Sequence, residues 1–164
     1  MPSRPARNKR RSNKKWSPVL KSQAVSQNVT AGGQLFQVVS LCANSSNIET
    51  APTATIIKCG NFKIVGDVNV SQSFNASGRM FCMYIPQGYT PEDTTPTEHP
   101  EWILCWRGFE PGVSGLQTFS MQSKLKRNLN SGDKVILLIE ATNYSSTTAN
   151  VAVSVTASYV CCAN

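Results

Sequence analysis

Apolar and polar residues alternate most cleanly near the C-terminal end of the chain. In ANVAVSVTASYVC (149–161), Val151, Val153, Val155, Ala157, Tyr159 and Cys161 share one face; Ala152, Ser154, Thr156 and Ser158 share the other. A period of two predicts a β-strand with one face in a core. Upstream, QLFQVVSLC (34–42), ATIIKCGNFKIVG (54–66), RMFCMYIP (79–86), EWILCWRGF (101–109), LQTFSMQSKLKRNL (116–129) and DKVILLIEA (133–141) also read as strands, most of them rich in β-branched, aromatic or long apolar residues. Gly60 marks a bulge in the second of these runs. Turn-forming clusters lie between strands: ANSSN, NASG, EPGVSG, NSGD and NYSSTT. No stretch of twelve residues outside the strand runs sustains a helical period. Seven or eight strands with long loops predict an all-β fold, an antiparallel two-sheet jelly-roll sandwich. The immunoglobulin type is disfavoured, because paired cysteines spaced around a tryptophan are missing.

Two runs are apolar on both faces. Met80, Cys82 and Tyr84 alternate with Phe81, Met83 and Ile85; Trp102, Leu104 and Trp106 alternate with Ile103 and Cys105. The second face of such a strand must be covered by a loop or by a neighbouring subunit. The body has few residues to spare, which favours subunits. The loop between these runs, PQGYTPEDTTPTEHPE, is broken by prolines and carries paired acids and His99, and is expected to be exposed.

Charge divides the chain in two. Of 164 residues, 16 are Lys or Arg and 9 are Asp or Glu, a net charge of +7. Arg4, Arg7, Lys9, Arg10, Arg11, Lys14, Lys15 and Lys21 all fall in the first 21 residues, which contain no acid. Residues 22–164 therefore hold 8 basic and 9 acidic groups, a net of −1. A near-neutral body with a cationic segment points to a polyanionic partner, nucleic acid before anionic membrane. By composition, residues 1–21 are a basic disordered arm, 22–33 a polar lead-in and 34–164 the jelly-roll domain. The eight cations of the arm are the candidate nucleic-acid-binding residues.

Other chemistry is sparse. The six cysteines (Cys42, Cys59, Cys82, Cys105, Cys161 and Cys162) include no C-x-x-C pair, and His99 is the single histidine. No metal site or cofactor is expected, and most of the thiols read as small buried hydrophobes. No apolar stretch follows the N-terminal charges and no run is long enough to span a bilayer, so neither a secretory leader nor membrane insertion is expected. Without a leader, the sequons at Asn28, Asn44, Asn69, Asn75 and Asn143 are expected to stay unmodified. Nucleophile-elbow, P-loop and dinucleotide motifs are missing, and the chain is not expected to be an enzyme.

FKIVGDV (62–68), MYIPQGYTP (83–91), HPEWILCWRG (99–108) and KLKRNLNSGDKVILLI (124–139) follow in that order behind the basic arm. Together they resemble the coat proteins of small circular Rep-encoding single-stranded DNA viruses of the circo-like kind. The resemblance spans about residues 54–142, and its motifs are structural. It implies a jelly-roll shell domain, a homo-oligomer of sixty copies in a T=1 icosahedral capsid, and an arm directed inward onto the genome. It also implies that KRRSNKK (9–15) is a nuclear localisation signal read by a host import receptor. The protein would then reside in the virion, and in the host nucleus or cytoplasm during infection. The even split of lysine and arginine departs from arginine-rich family arms. It leaves open a satellite-type RNA virus coat, with RNA in place of DNA. A non-viral module binding single-stranded nucleic acid is a further alternative, but it would need aromatics among basic residues on a body whose net charge is −1. A lectin-like or cytokine-like sandwich would need a leader or a set of ligand loops.

Overall fold

The computed structural model describes residues 16–44, 56–70, 76–109 and 115–163. Eight strands follow in order: β1 (Ser17–Val29), β2 (Gln34–Ala43), β3 (Ile57–Val70), β4 (Ala76–Ile85), β5 (Ile103–Phe109), β6 (Gly115–Leu129), β7 (Lys134–Asn143) and β8 (Ala149–Ala163). A single-turn helix, α1 (Thr95–Glu98), and a 3₁₀ turn (Pro100–Trp102) interrupt the connection between β4 and β5. The strands form two four-stranded sheets of order β1-β8-β3-β6 and β2-β7-β4-β5, every pairing antiparallel. Consecutive strands alternate between sheets except β4 and β5, which pair with each other, and this order is that of an eight-stranded jelly roll. The all-β jelly-roll sandwich expected from the sequence is the observed fold.

The expected start of the folded body is corrected. β1 begins at Ser17, so neither the disordered arm ending at residue 21 nor a polar lead-in over 22–33 describes this region. The strand pairs along its whole length with β8, from Ser17 opposite Cys161 to Val29 opposite Ala149. Side chains reinforce the pairing where Ser22 Oγ meets Thr156 Oγ1 at 2.9 Å and Asn150 Nδ2 donates to Asn28 Oδ1 at 2.8 Å.

The core fills the space between the sheets. Val151, Val153, Val155, Ala157 and Tyr159 all face it, as the alternation predicts. Gly60 does sit at an irregularity, since the register of β3 slips between Gly60 and Phe62 against β6 and between Gly60 and Lys63 against β8. Asn61 takes the left-handed conformation there, with φ 54°, which asparagine tolerates better than most residues. The slip changes the face of β3, so that both Cys59 and Phe62 are buried.

The second apolar face of β4 is covered from within the chain, which corrects the expectation of subunit contacts. Phe81, Met83 and Ile85 of β4 join Ile136 and Leu138 of β7 in a separate buried cluster. Phe36, Tyr89, Trp102 and Ile103 pack on it, so the β4–β5 connection roofs this sheet. Aromatic stacking lets a proline-broken loop do this. His99 lies parallel to Trp102 at 3.8 Å, and Tyr89 meets both rings edge-on at 5.3 and 5.0 Å. Ile136 and Leu138 are buried under this roof and Val135, Leu137 and Ile139 in the core between the sheets, so residues 135–139 are all fully buried, each large side chain contributing roughly 1.5–3 kcal/mol relative to exposure. Trp106 stays 60% exposed, outside the roof.

No disulfide joins the six cysteines; Cys42, Cys59, Cys82 and Cys162 are buried. The side chains of Asn44 and Asn143 are buried as well, Asn143 completely.

Candidate nucleic-acid interface

Seven of the eight predicted cations (Arg4, Arg7, Lys9, Arg10, Arg11, Lys14 and Lys15) lie outside the described residues. The eighth lies in the folded body. Lys21 belongs to β1, opposite Ala157 and half-buried. It sits on the inward side of an edge strand, near enough to Cys42 for its charge to favour the thiolate. Cys42 is held below the usual thiol range chiefly by a hydrogen bond with Cys59, then by Tyr159 and by Lys21. Lys21 is therefore a residue of the folded body.

The first described residue, Trp16, marks where the basic segment meets the sandwich. Its ring lies under the Lys126 ammonium at 5.1 Å, a cation–π contact. Lys126 belongs to a basic rim that the register of β3 and β6 assembles. Lys58 pairs with Asn128, Cys59 with Arg127, and Gly60 with Lys126. Lys58, Tyr84, Lys126, Arg127 and Asn128 line one pocket of about 430 Å³.

Arg127 is the fixed member of this group. Its Nη2 donates to the Glu101 carbonyl at 2.7 Å, and its guanidinium stands over the Tyr84 ring at 5.9 Å. Its buried Nε has no acceptor among the described residues. Tyr84 is held from behind, its hydroxyl donating to Asp133 Oδ2 at 2.8 Å. Burial first, and then this bond, push the phenol up to about 12. Among the described residues the ion pairs are Arg79–Glu140 and His99–Glu101, so Lys58, Lys126 and Arg127 have no carboxylate partner.

Sequence reasoning placed all nucleic-acid contacts on the arm and missed this rim. The signal was present in KLKR (124–127), read only as part of a structural motif. Lys58 joins it solely through strand register. Among the described residues, no group of three or more His, Cys, Asp or Glu could hold a metal ion. No helix there is long and apolar enough to cross a membrane.

No family model matches this chain, and no curated protein matches it in sequence. Among solved structures it is similar to the 60-mer BFDV capsid protein, at 10% identity over 92% of this chain and 95% of that one, with TM-score 0.38. A Turnip yellow mosaic virus structure gives 15% identity over 87% and 93%, with TM-score 0.38. A bacterial lipoprotein from Bacteroides thetaiotaomicron gives 10% over 88% of each chain, with TM-score 0.42. Identities and TM-scores this low establish no kinship between the chains.

Proposed function

We propose that this chain is a viral capsid protein that self-assembles into a small icosahedral shell of sixty copies and packages single-stranded DNA through its basic arm. The observation that carries the reading is the joining of two unlike parts. A jelly roll with near-neutral charge follows directly on seven cations without an acid, and the junction lies at Trp16. A folded body of this kind supplies surfaces for shell contacts, while the arm supplies charge for a polyanion held in a closed space. Lys and Arg contacts to phosphates carry no sequence information, so packaging through the arm is blind to sequence. KRRSNKK (9–15) serves a second purpose before assembly, as an import signal for a host receptor.

Electron microscopy of the purified full-length protein tests the assembly, and nuclease digestion of what the particles contain tests the cargo. Uniform closed shells yielding DNase-sensitive single strands are expected. Shells yielding RNA would transfer the protein to the satellite-type coats. Monomers or dimers at all concentrations and salts would refute the capsid reading.

A further inference from the structure

We infer that the pocket lined by Lys58, Tyr84, Lys126, Arg127 and Asn128 is a phosphodiester-binding site on the folded body, taking backbone phosphates of the same single strand that the arm binds; this rests on the packaging reading above. Residues 22–164 carry only eight cations, and three of them line this one pocket, Lys58 from β3 and Lys126 and Arg127 from β6. None of the three has a carboxylate partner among the described residues. Like charges that line one pocket repel one another, and an anion in the pocket relieves that repulsion.

The donor set fits a phosphate oxygen. Two ammonium groups supply mobile point charges, and a guanidinium anchored by the Glu101 carbonyl supplies a fixed fork. Asn128 adds an amide. Asp133, behind Tyr84, is 4% exposed and already accepts from Tyr84 Oη, Gln87 N and Asn130 N, and the Glu101 carboxylate is paired with His99. Position selects a polymer over a small anion. Lys126 touches Trp16, and Lys15 and Lys14 precede Trp16 directly in the chain. A strand neutralised by the arm is thereby delivered to the pocket, and binding there is intramolecular once the arm is engaged.

The test uses the full-length chain and a fluorescein-labelled (dT)20 oligonucleotide, followed by anisotropy across a sodium chloride series below the concentration at which shells scatter light. Single-strand binding loses a slope of roughly 0.7 in log affinity against log salt for each phosphate contact removed. The double variant K58Q/K126Q is expected to lower the slope by about 1.4, equivalent to about 25-fold weaker binding at 0.1 M salt. K63Q, an exposed cation elsewhere on β3, should leave the slope unchanged. An unaltered slope in K58Q/K126Q, or an equal loss in K63Q, overturns the pocket and leaves the arm reading standing. No salt-dependent binding by the unmodified chain overturns both.

A saturable change of tryptophan fluorescence with sodium phosphate at constant ionic strength would assign the site to free phosphate and overturn the polymer reading. A measurement on the unmodified protein covers the case in which the variants misfold. Ultraviolet cross-linking to a 5-bromodeoxyuridine oligonucleotide should yield adducts on peptides containing Tyr84 or Lys126–Leu129, and adducts confined to residues 1–16 would overturn the proposal.

Discussion

Asp133 shows how a short sequence signal acquires a long reach. NSGD reads as a turn, and the carboxylate does close it by accepting from Asn130 N at 2.8 Å. The same side chain also takes Gln87 N at 2.9 Å and the Tyr84 hydroxyl at 2.8 Å, tying the β6–β7 turn to the end of β4. No local pattern announces partners 46 and 49 residues away. Asp133→Asn puts an amide donor where one of three donors needs an acceptor. It should cost about 1.5–3 kcal/mol, the range for hydrogen bonds to a charged group, and Tyr84→Phe should cost less. Urea unfolding monitored by circular dichroism gives both values, and a D133N change within error of zero would remove Asp133 as the organiser of this end. Glu140 offers a test by pH. Desolvation raises its carboxyl above the ordinary range, with Arg79 opposing at 2.7 Å and Asp93 adding to the rise. An acid with a raised folded pKa binds its proton more tightly when folded. Its contribution is therefore most favourable below the ordinary carboxylate pKa and is lost as pH climbs through the folded value. Glu140→Gln mimics the protonated form, so it should gain on the parent protein between pH 4 and pH 7. A melting-temperature difference that is flat over that interval would show that the carboxylate is not strained.

At the scale of elements, the strands with a buried face were legible and the one without a strong apolar face was not. β8 and β7 announce themselves because their inward positions are nearly all Val, Ile, Leu or Ala. β1, SPVLKSQAVSQNV, places Lys21, Gln23 and Gln27 on the side where a core strand would carry apolar residues, and only Val29 is buried. An edge strand can be this polar because pairing with β8, and not burial, holds it in place. Charge then misled the boundary, since Lys21 completes a run of cations that begins at Arg4. The roof over β4 was illegible for a different reason. His99 and Trp102 stack through a turn built on prolines, and no periodicity encodes that contact. The revised boundary can be checked with two truncations. Removing residues 1–15 should leave the melting temperature within a few degrees. Removing 1–21 also deletes the pairs from Ser17–Cys161 to Lys21–Ala157 and the packing of Val19. A loss of about 2–3 kcal/mol corresponds to roughly 5–10 °C for a domain of this size. Equal melting temperatures for the two truncations would place the start of the cooperative fold after Lys21.

For the whole molecule, the decisive quantity is the ratio between arm charge and body charge. With Lys21 assigned to the sandwich, seven cations remain ahead of Trp16. Sixty copies would then bring about 420 arm charges into one shell, enough to neutralise an equal number of phosphates. If all seven contact a single strand, the arm alone gives a slope of about −5 in log affinity against log salt. Lys58 and Lys126 would carry it to between −6 and −7. On the proposed capsid reading the sandwich contributes shell surfaces that do not depend on the arm, so shell closure and cargo loading should be separable. Full-length protein mixed with single-stranded DNA at 50 mM salt should form filled shells that empty as salt rises. Protein lacking residues 1–15 should still close into shells of the same diameter, but it should load little DNA and retain only the shallow residual slope of the pocket. Electron microscopy counts the shells, and the ratio of absorbance at 260 and 280 nm measures their cargo. Equal loading by the two proteins would dismiss the arm as the genome-binding element. Failure of the shortened protein to close at any salt would instead make the arm part of the shell contacts, and the division between a structural body and an electrostatic arm would not hold.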